Sequence, residues 1–303
     1  MHVRFRSCGI WTSGLKKVSE SRLSRRLWNT GQLCAALYSM TLSMTAYAAS
    51  CPATKGLISQ GQLVMATNPT LPPLQYVTVD GRIAGMRMQL GDELARRLCL
   101  RPVVLSTSFA QLTLGLLEKR WDIINTGMFY TPQRAKLMHM IPYEIQAISV
   151  SLNEDAALHL SRIEDLSGMS VGVEMGGIEE RHAREADDVL RAAGRPGLEI
   201  KTFQNVGIAF AGLRARQVTA VLSIDAVARR NAEQGGVRPV LTGLYPTPVA
   251  LALRDPDLAH QVAAVLEDMR EDGTLEHLMA PYGVMPFPGH ITVSGMPDPA
   301  KAR

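Results

Sequence analysis

Arg134 closes the run DIINTGMFYTPQR, residues 122–134, three positions after Thr131. A guanidinium grips a carboxylate through two parallel N–H···O bonds, so this is where an anion would be held. Thr131 followed by Pro132 is a helix start, with Thr as N-cap and Pro at the first helical position. Upstream, Ile123 and Ile124 read as buried strand and Asn125-Thr126-Gly127 as the turn. The segment therefore predicts strand, turn and helix. Backbone N–H groups, the Thr126 hydroxyl and the Arg134 guanidinium would converge on the turn, where a small anion fits. A cation in a first helical turn opposes the helix dipole, a conflict that an anionic guest relieves. The plain structural alternatives are a surface arginine and an ordinary turn that happens to contain Thr126 and Gly127.

Gly176-Gly177, ahead of a helix starting near Ile178, is a second anion-tolerant loop of the same kind. Glu179, in that first turn, is a candidate partner for a cation, although the helix dipole alone justifies an acid there. Asp225 has two readings as well: ligand contact, or N-cap of the helix that follows it. His139, His159, His182, His260, His277 and His290 are scattered, and Glu179 with His182 is more simply a solvated helix face than a metal site. There is no Walker loop, no G-x-S-x-G and no G-x-G-x-x-G, so neither a cofactor nor a bound metal is expected.

Five further blocks surround the Arg134 segment in a fixed order. They are LVMATNPTLPPLQYVTVDGRIAGMRMQLGDELARRL (63–98), IEDLSGMSVGVEMGGIEE (163–180), FQNV (203–206), VTAVLSIDAVARR (218–230) and EDGTLEHLMAPYGV (271–284). Together they resemble the family 3 extracellular solute-binding proteins, periplasmic receptors of polar amino acid ABC importers. The resemblance implies an α/β, two-lobed periplasmic-binding-protein fold (type II), each lobe a mainly parallel sheet flanked by helices. Two hinge crossovers, near residues 149–153 and 246–252, would join the lobes. It implies a first lobe over 50–151, a second over 152–247 and a return to the first over 248–285.

The resemblance also assigns roles. Arg134, Thr126 and Gly127 would clamp the α-carboxylate of a ligand. Several positions depart from the family pattern. Gly177 stands at a usual Thr, Phe129 at a usual Ser or Thr, and Asn68 at a frequent Asp, while Leu71 and Leu74 replace residues that are often aromatic. Ile224 falls where an Asp normally pairs with the ligand's ammonium, leaving Asp225 or Glu179 as replacement partners. The ligand is then an amino acid held by a displaced acid, or an organic acid without the amine. The implied partners are that small molecule and an inner-membrane ABC permease, with the chain a monomer. Two other readings share the fold: a cyclohexadienyl or arogenate dehydratase-like enzyme, and a ligand-sensing module for a membrane partner.

The remaining elements follow from periodicity. Strand-like runs at Leu63–Thr67, Val103–Ser106, Ile123–Asn125, Ser170–Glu174, Glu199–Phe203 and Ala220–Ile224 alternate with amphipathic helices over 89–98, 109–119, 179–193 and 208–214. This alternation predicts parallel sheets covered on both faces, in two sets separated by the polar stretch Asn153–Ala156. A third apolar run, Thr247–Arg254, precedes a helix over Pro256–Glu271. From Pro286 onward, Pro, Gly and small polar residues predict a flexible tail, 286–303. Trp121, just before a strand, is expected in the core.

The net charge of +4 is carried by the first fifty residues. Seven of 32 Lys and Arg but one of 28 Asp and Glu lie in residues 1–49, leaving 25 basic against 27 acidic groups. Nothing here points to nucleic acid. Residues 1–49 have a basic region, an apolar stretch over Leu33–Ala46 and the small-x-small pattern Ala46-Tyr47-Ala48, the three parts of a cleaved secretory signal. Export to the periplasm is expected, by the general or the twin-arginine route. Cys51 precedes the first strand and Cys99 ends the first helix, which runs back beside it, so a Cys51–Cys99 disulfide suits an oxidising compartment. A buried thiol at Cys99 and a lipidated Cys51 are the alternatives.

Overall fold

The computed structural model describes residues 53–295. The leader with its cleavage site and Cys51 lie outside the described residues; Cys99 is disulfide-bonded. No helix among the described residues is long and apolar enough to cross a membrane.

In the first lobe, β1 (Gln62–Thr67) lies between β5 (Arg101–Ser106) and β6 (Ile123–Ile124), parallel to both. A small separate sheet, β2 (Thr70–Leu71), β3 (Gln75–Val77) and β4 (Ile83–Ala84), leads into α1 (Met86–Arg97). Strand alternation sorts the side chains into two layers. Leu63, Met65, Ile123, Leu251 and Leu253 join one apolar cluster, with α1 and the later helices α7 (Pro256–Glu271) and α8 (Thr274–Met279). Val64, Ala66, Ile124, Ala250 and Ala252 join the other, with Trp121 and α2 (Leu112–Leu117). A sheet covered on both faces needs both sets apolar, which is why β1 reads as an unbroken hydrophobic run. Trp121 packs so closely against Gly115 that a Cβ there would lie 2.0 Å from its ring.

The second lobe carries β8 (Ser170–Glu174), α4 (Ile178–Ala192), β9 (Glu199–Phe203), α5 (Val206–Arg214), β10 (Ala220–Ile224) and α6 (Asp225–Glu233). Here β8 is parallel to both β9 and β10. Local chemistry starts the helices: Asn205 accepts from the Ile208 N–H, and Asp255, ahead of Pro256, accepts from the Leu258 N–H.

Two long antiparallel strands, β7 (His139–Asn153) and β11 (Val237–Leu253), pass from one lobe to the other and unite the sheets in the order β5-β1-β6-β11-β7-β10-β8-β9. Along β7 the second neighbour is β12 (Met285–Pro286) as far as Ile145, and β10 from Ile148 onward. The passage between lobes therefore lies within a continuous strand. Asn153–Ala156, which composition marks as the divide, is a turn at the far end of β7. An extended crossover keeps its ladder bonds and needs no change of composition. The β11 register is irregular between Pro239 and Thr247, where Gly243 and Tyr245 adopt positive φ.

The stretch after Pro286, expected to be loose, is held through Ser294. Phe287 N–H donates to the Tyr143 carbonyl, Ser294 and Met140 exchange backbone bonds, and Ile291 is buried. Polar composition understates order because the bonds that fix this segment come from β7 and from Glu267.

Asp122 is a structural residue. Its buried carboxylate accepts from the Ile58 N–H at 2.8 Å and the Val64 N–H at 2.9 Å. Asp122→Ala would leave two backbone donors unpaired and is expected to cost about 2–4 kcal/mol. Urea denaturation measures this; an unchanged midpoint would mean that water replaces the carboxylate.

Candidate functional site

Thr131 is the N-cap of α3 (Pro132–Ala135), its hydroxyl accepting from the Arg134 N–H at 3.1 Å. This cap points the Arg134 side chain back along the turn. Its Nη1 donates to the Phe129 carbonyl at 2.8 Å, and its Nη2 donates across the crevice to the Gly176 carbonyl at 3.1 Å. The guanidinium lies 5.4 Å from the centre of the Phe109 ring. It forms no ion pair among the described residues; burial pulls its pKa down to about 10, against the opposing pull of Glu179. The expected helix-dipole site is not there, since α3 is a single turn and carries almost no dipole. What remains for an anion is the guanidinium itself.

On the facing lobe, β8 ends at Glu174, and Gly176, at φ +76°, turns the chain into α4. The Gly177 N–H, expected to be open to an anion, donates to the Glu174 carbonyl at 3.1 Å, and the Gly176 N–H donates to Glu180 Oε2 at 2.8 Å. A Cβ on Gly177 would lie 2.5 Å from Glu179 Oε2, so the Glu179 carboxylate occupies the room that a larger residue would take. Burial pushes the Glu179 carboxyl up to about 7, although its own amide and Arg134 pull it down. Glu174 Oε1 accepts from Asn68 Nδ2 at 2.7 Å across the crevice. Burial, then the nearby Glu179 charge, push the Glu174 carboxyl up to about 8.

The walls are apolar where the turn meets the second lobe. A Cβ on Gly127 would lie 3.1 Å from Leu71 Cδ1 and 3.2 Å from Ile224 Cδ1, so Ile224 faces the Thr126-Gly127 turn. Thr126 is buried, its Oγ1 accepting from Gln75 Nε2 at 2.9 Å, which leaves the hydroxyl proton for another acceptor. Gln75 Oε1 accepts in turn from Arg87 Nη1 at 2.6 Å. Arg87, fully buried beneath the turn, also donates to the Tyr143 hydroxyl and to Glu144. Burial pushes the Glu144 carboxyl up against the pull of that guanidinium.

Four expected contacts are placed elsewhere. Phe129 and Leu74 lie in the main core cluster, and only the Phe129 carbonyl turns toward Arg134. Ile178, the first residue of α4, is buried in the same cluster. The Asp225 carboxylate accepts from Ser149 Oγ at 2.5 Å and from the Gly243 N–H at 3.1 Å, tying α6 to both crossover strands. Glu179 and His182 are both buried, not a solvated face, and His182 stacks on Tyr245 with ring centres 4.0 Å apart.

Sequence reasoning did not single out Glu174, Phe109, Gln75 or Arg87. An acid closing an apolar parallel strand, as Glu174 does in SVGVE, was the available signal, because crevices form at such strand ends.

The two raised carboxyls set a pH dependence. A glutamate titrates near 4.5 in the unfolded chain, whereas Glu174 and Glu179 hold their protons to about 8 and about 7 in the fold. Their contribution to stability is therefore complete below about pH 4.5 and is lost as pH rises through 7 to 8. Glu174→Gln is expected to flatten the fall in Tm between about pH 6 and about pH 8.5. Parallel curves for the two proteins would show that Glu174 is already ionised.

Beside this cluster an open cavity of about 530 Å³ is lined from both lobes, by Asn68, Thr70 and Ser106 on one side and Met175 and Asn205 on the other. Residues 63–285 match the family model of bacterial extracellular solute-binding proteins, family 3. The L-cystine-binding protein TcyJ of Escherichia coli (strain K12) is 24% identical over 236 residues, covering 75% of this chain and 85% of that protein. The structure of an ancestral arginine-binding protein bound to arginine superposes with a TM-score of 0.68 at 26% identity, covering 74% of this chain and 98% of that one. A cyclohexadienyl dehydratase of Pseudomonas aeruginosa is 28% identical over 131 residues, 42% of this chain and 49% of the enzyme. With the match running from β1 to β12 over two lobes and an arginine-bearing crevice, the chain belongs to the family 3 extracellular solute-binding proteins.

Proposed function

We propose that this protein captures a small carboxylate-bearing solute, an amino acid or related organic acid, in the crevice between its lobes. The observation that carries the reading is Arg134: a half-buried guanidinium that spans the crevice, bonded to one carbonyl of each lobe and, among the described residues, to no carboxylate. Neutral carbonyls leave its charge largely uncompensated, so a guest carboxylate would gain two charge-assisted bonds there. The Thr126 hydroxyl, which accepts from Gln75, would donate a further bond to that carboxylate. A guest touching both lobes stabilises only their closed arrangement, so capture and closure are one equilibrium.

The solute would then pass to an inner-membrane ABC permease, with the protein acting as a periplasmic monomer after removal of residues 1–49. The family assignment and the arginine-bound relative support this reading. No bond in the solute is broken.

A dehydratase is the second reading, favoured by Glu174 and Glu179, whose raised carboxyls would serve as proton donors near neutral pH. Release of phenylpyruvate on incubation with prephenate would establish it; an unchanged substrate excludes it.

A thermal-shift panel of amino acids and organic acids identifies the solute, and calorimetry then tests the clamp. Arg134→Ala is expected to weaken binding by about 100-fold or more, and Arg134→Lys by less, since it keeps the charge but loses the fork. Equal affinity in the wild type and Arg134→Ala would remove Arg134 from the site.

A further inference from the structure

We infer that the solute is a cationic amino acid, one carboxylate with two positive groups, and that Glu174 and Glu179 of the second lobe take the positive groups in place of an acid at residue 224. This deepens the function proposed above and rests on it.

The argument begins with the charges that face the crevice. Most charged groups around it are already paired. Glu180 is bonded to Arg184 and to the Gly176 N–H, Arg181 lies 3.6 Å from Glu185, and Arg87 pairs with Glu144. Asp225 is engaged by Ser149 and Gly243. Three ionisable groups are left over: Arg134 from the first lobe, and from the second Glu174 and Glu179, which a bound cation would hold ionised. Against one guanidinium stand two carboxyls, and the neighbouring groups from the first lobe, Asn68 and Phe109, are neutral. A guest that neutralises the site therefore carries one negative and two positive charges.

The placement of each carboxyl supports this independently of the count. Glu179 is 7% exposed, yet apart from its own amide it takes no hydrogen bond from any described residue. It feels Arg134 without forming an ion pair with it. Such a group, buried and unpaired, is costly unless something of opposite charge arrives. Glu174 has one partner, the neutral Asn68 amide, and its charge is opposed by Glu179. A cation between them would relieve both burial and mutual repulsion. Asn68 also lines the 530 Å³ cavity, so a long side chain has a way out of the cluster on that side. Ile224, packed on Gly127, offers a cation nothing.

Calorimetry on the mature chain at neutral pH tests this with probes of matched length: L-arginine and L-lysine against L-citrulline, which resembles arginine but lacks its charge, and against L-glutamate. The expected order is arginine or lysine over citrulline by about 10- to 100-fold, with glutamate weakest. Binding of the cationic probe should also release protons, read from the dependence of the heat on buffer ionisation. In Glu174→Gln the advantage of arginine over citrulline should shrink to within a few-fold. The wild-type comparison needs no variant, so it decides even if Glu174→Gln folds poorly. If a neutral or amine-free acid binds tightest and loses affinity in Arg134→Ala, this inference is wrong while the receptor stands. If no probe depends on Arg134, both fall together.

Discussion

A half-buried guanidinium between two lobes, hydrogen-bonded among the described residues to carbonyl oxygens alone, is the constraint around which the rest of the molecule is arranged. Arg134 reaches Phe129 in its own lobe and Gly176 in the other. These two carbonyl dipoles accept from its N–H groups without cancelling its charge. The opposing carboxyl of Glu179 is close enough to feel that charge but is held by its own amide, over a glycine with no side chain to push it away. Opposite charges are thus kept near each other and apart, the arrangement a zwitterionic guest would complete. Keeping them so is unfavourable in the empty protein, as the depressed arginine and the raised glutamates both record.

The unfavourable electrostatics are offset by the scaffold beneath. Thr131 caps the turn that aims Arg134, Asp122 pins the start of β1, and the Arg87 network ties the hairpin, α1 and β7 under Thr126. Each is a set of buried bonds flanked by apolar layers, which is where a fold gains rigidity.

Passage between the lobes is made by two continuous strands rather than by loops. The neighbour of β7 changes from β12 to β10 within a few residues, and β11 bulges over the same span. Asp225 fastens the start of α6 to both strands, through Ser149 of β7 and Gly243 of β11. The preceding residue, Ile224, forms the crevice wall. The second lobe's apolar wall is therefore anchored directly to the crossover, and Asp225 has a mechanical duty that explains why its carboxylate is not in the crevice.

Local signals in the chain were enough to read the parallel strands, the helix from Pro256 to Glu271 and the Thr131-Pro132 cap, because each depends on residues a few positions apart. The same signals misplaced Phe129, Gly177 and the tail after Pro286. Whether a side chain is core or crevice, and whether an amide is free, depends on what arrives from elsewhere in the sequence: Val249 beside Phe129, the Glu174 carbonyl on Gly177, β7 along Phe287. The electrostatics of the site were the least legible part. Asn68 meets Glu174 from 106 residues away and Arg134 meets Gly176 from 42, so no spacing pattern announces either contact. Sequence alone determined the alternating strands and helices, through propensity, periodicity and capping, and the two-lobed plan, through the ordered motifs that carry the family resemblance. Tertiary structure alone decided which charges are paired and which are left waiting, because burial and Coulomb interactions depend on distance through space and not along the chain.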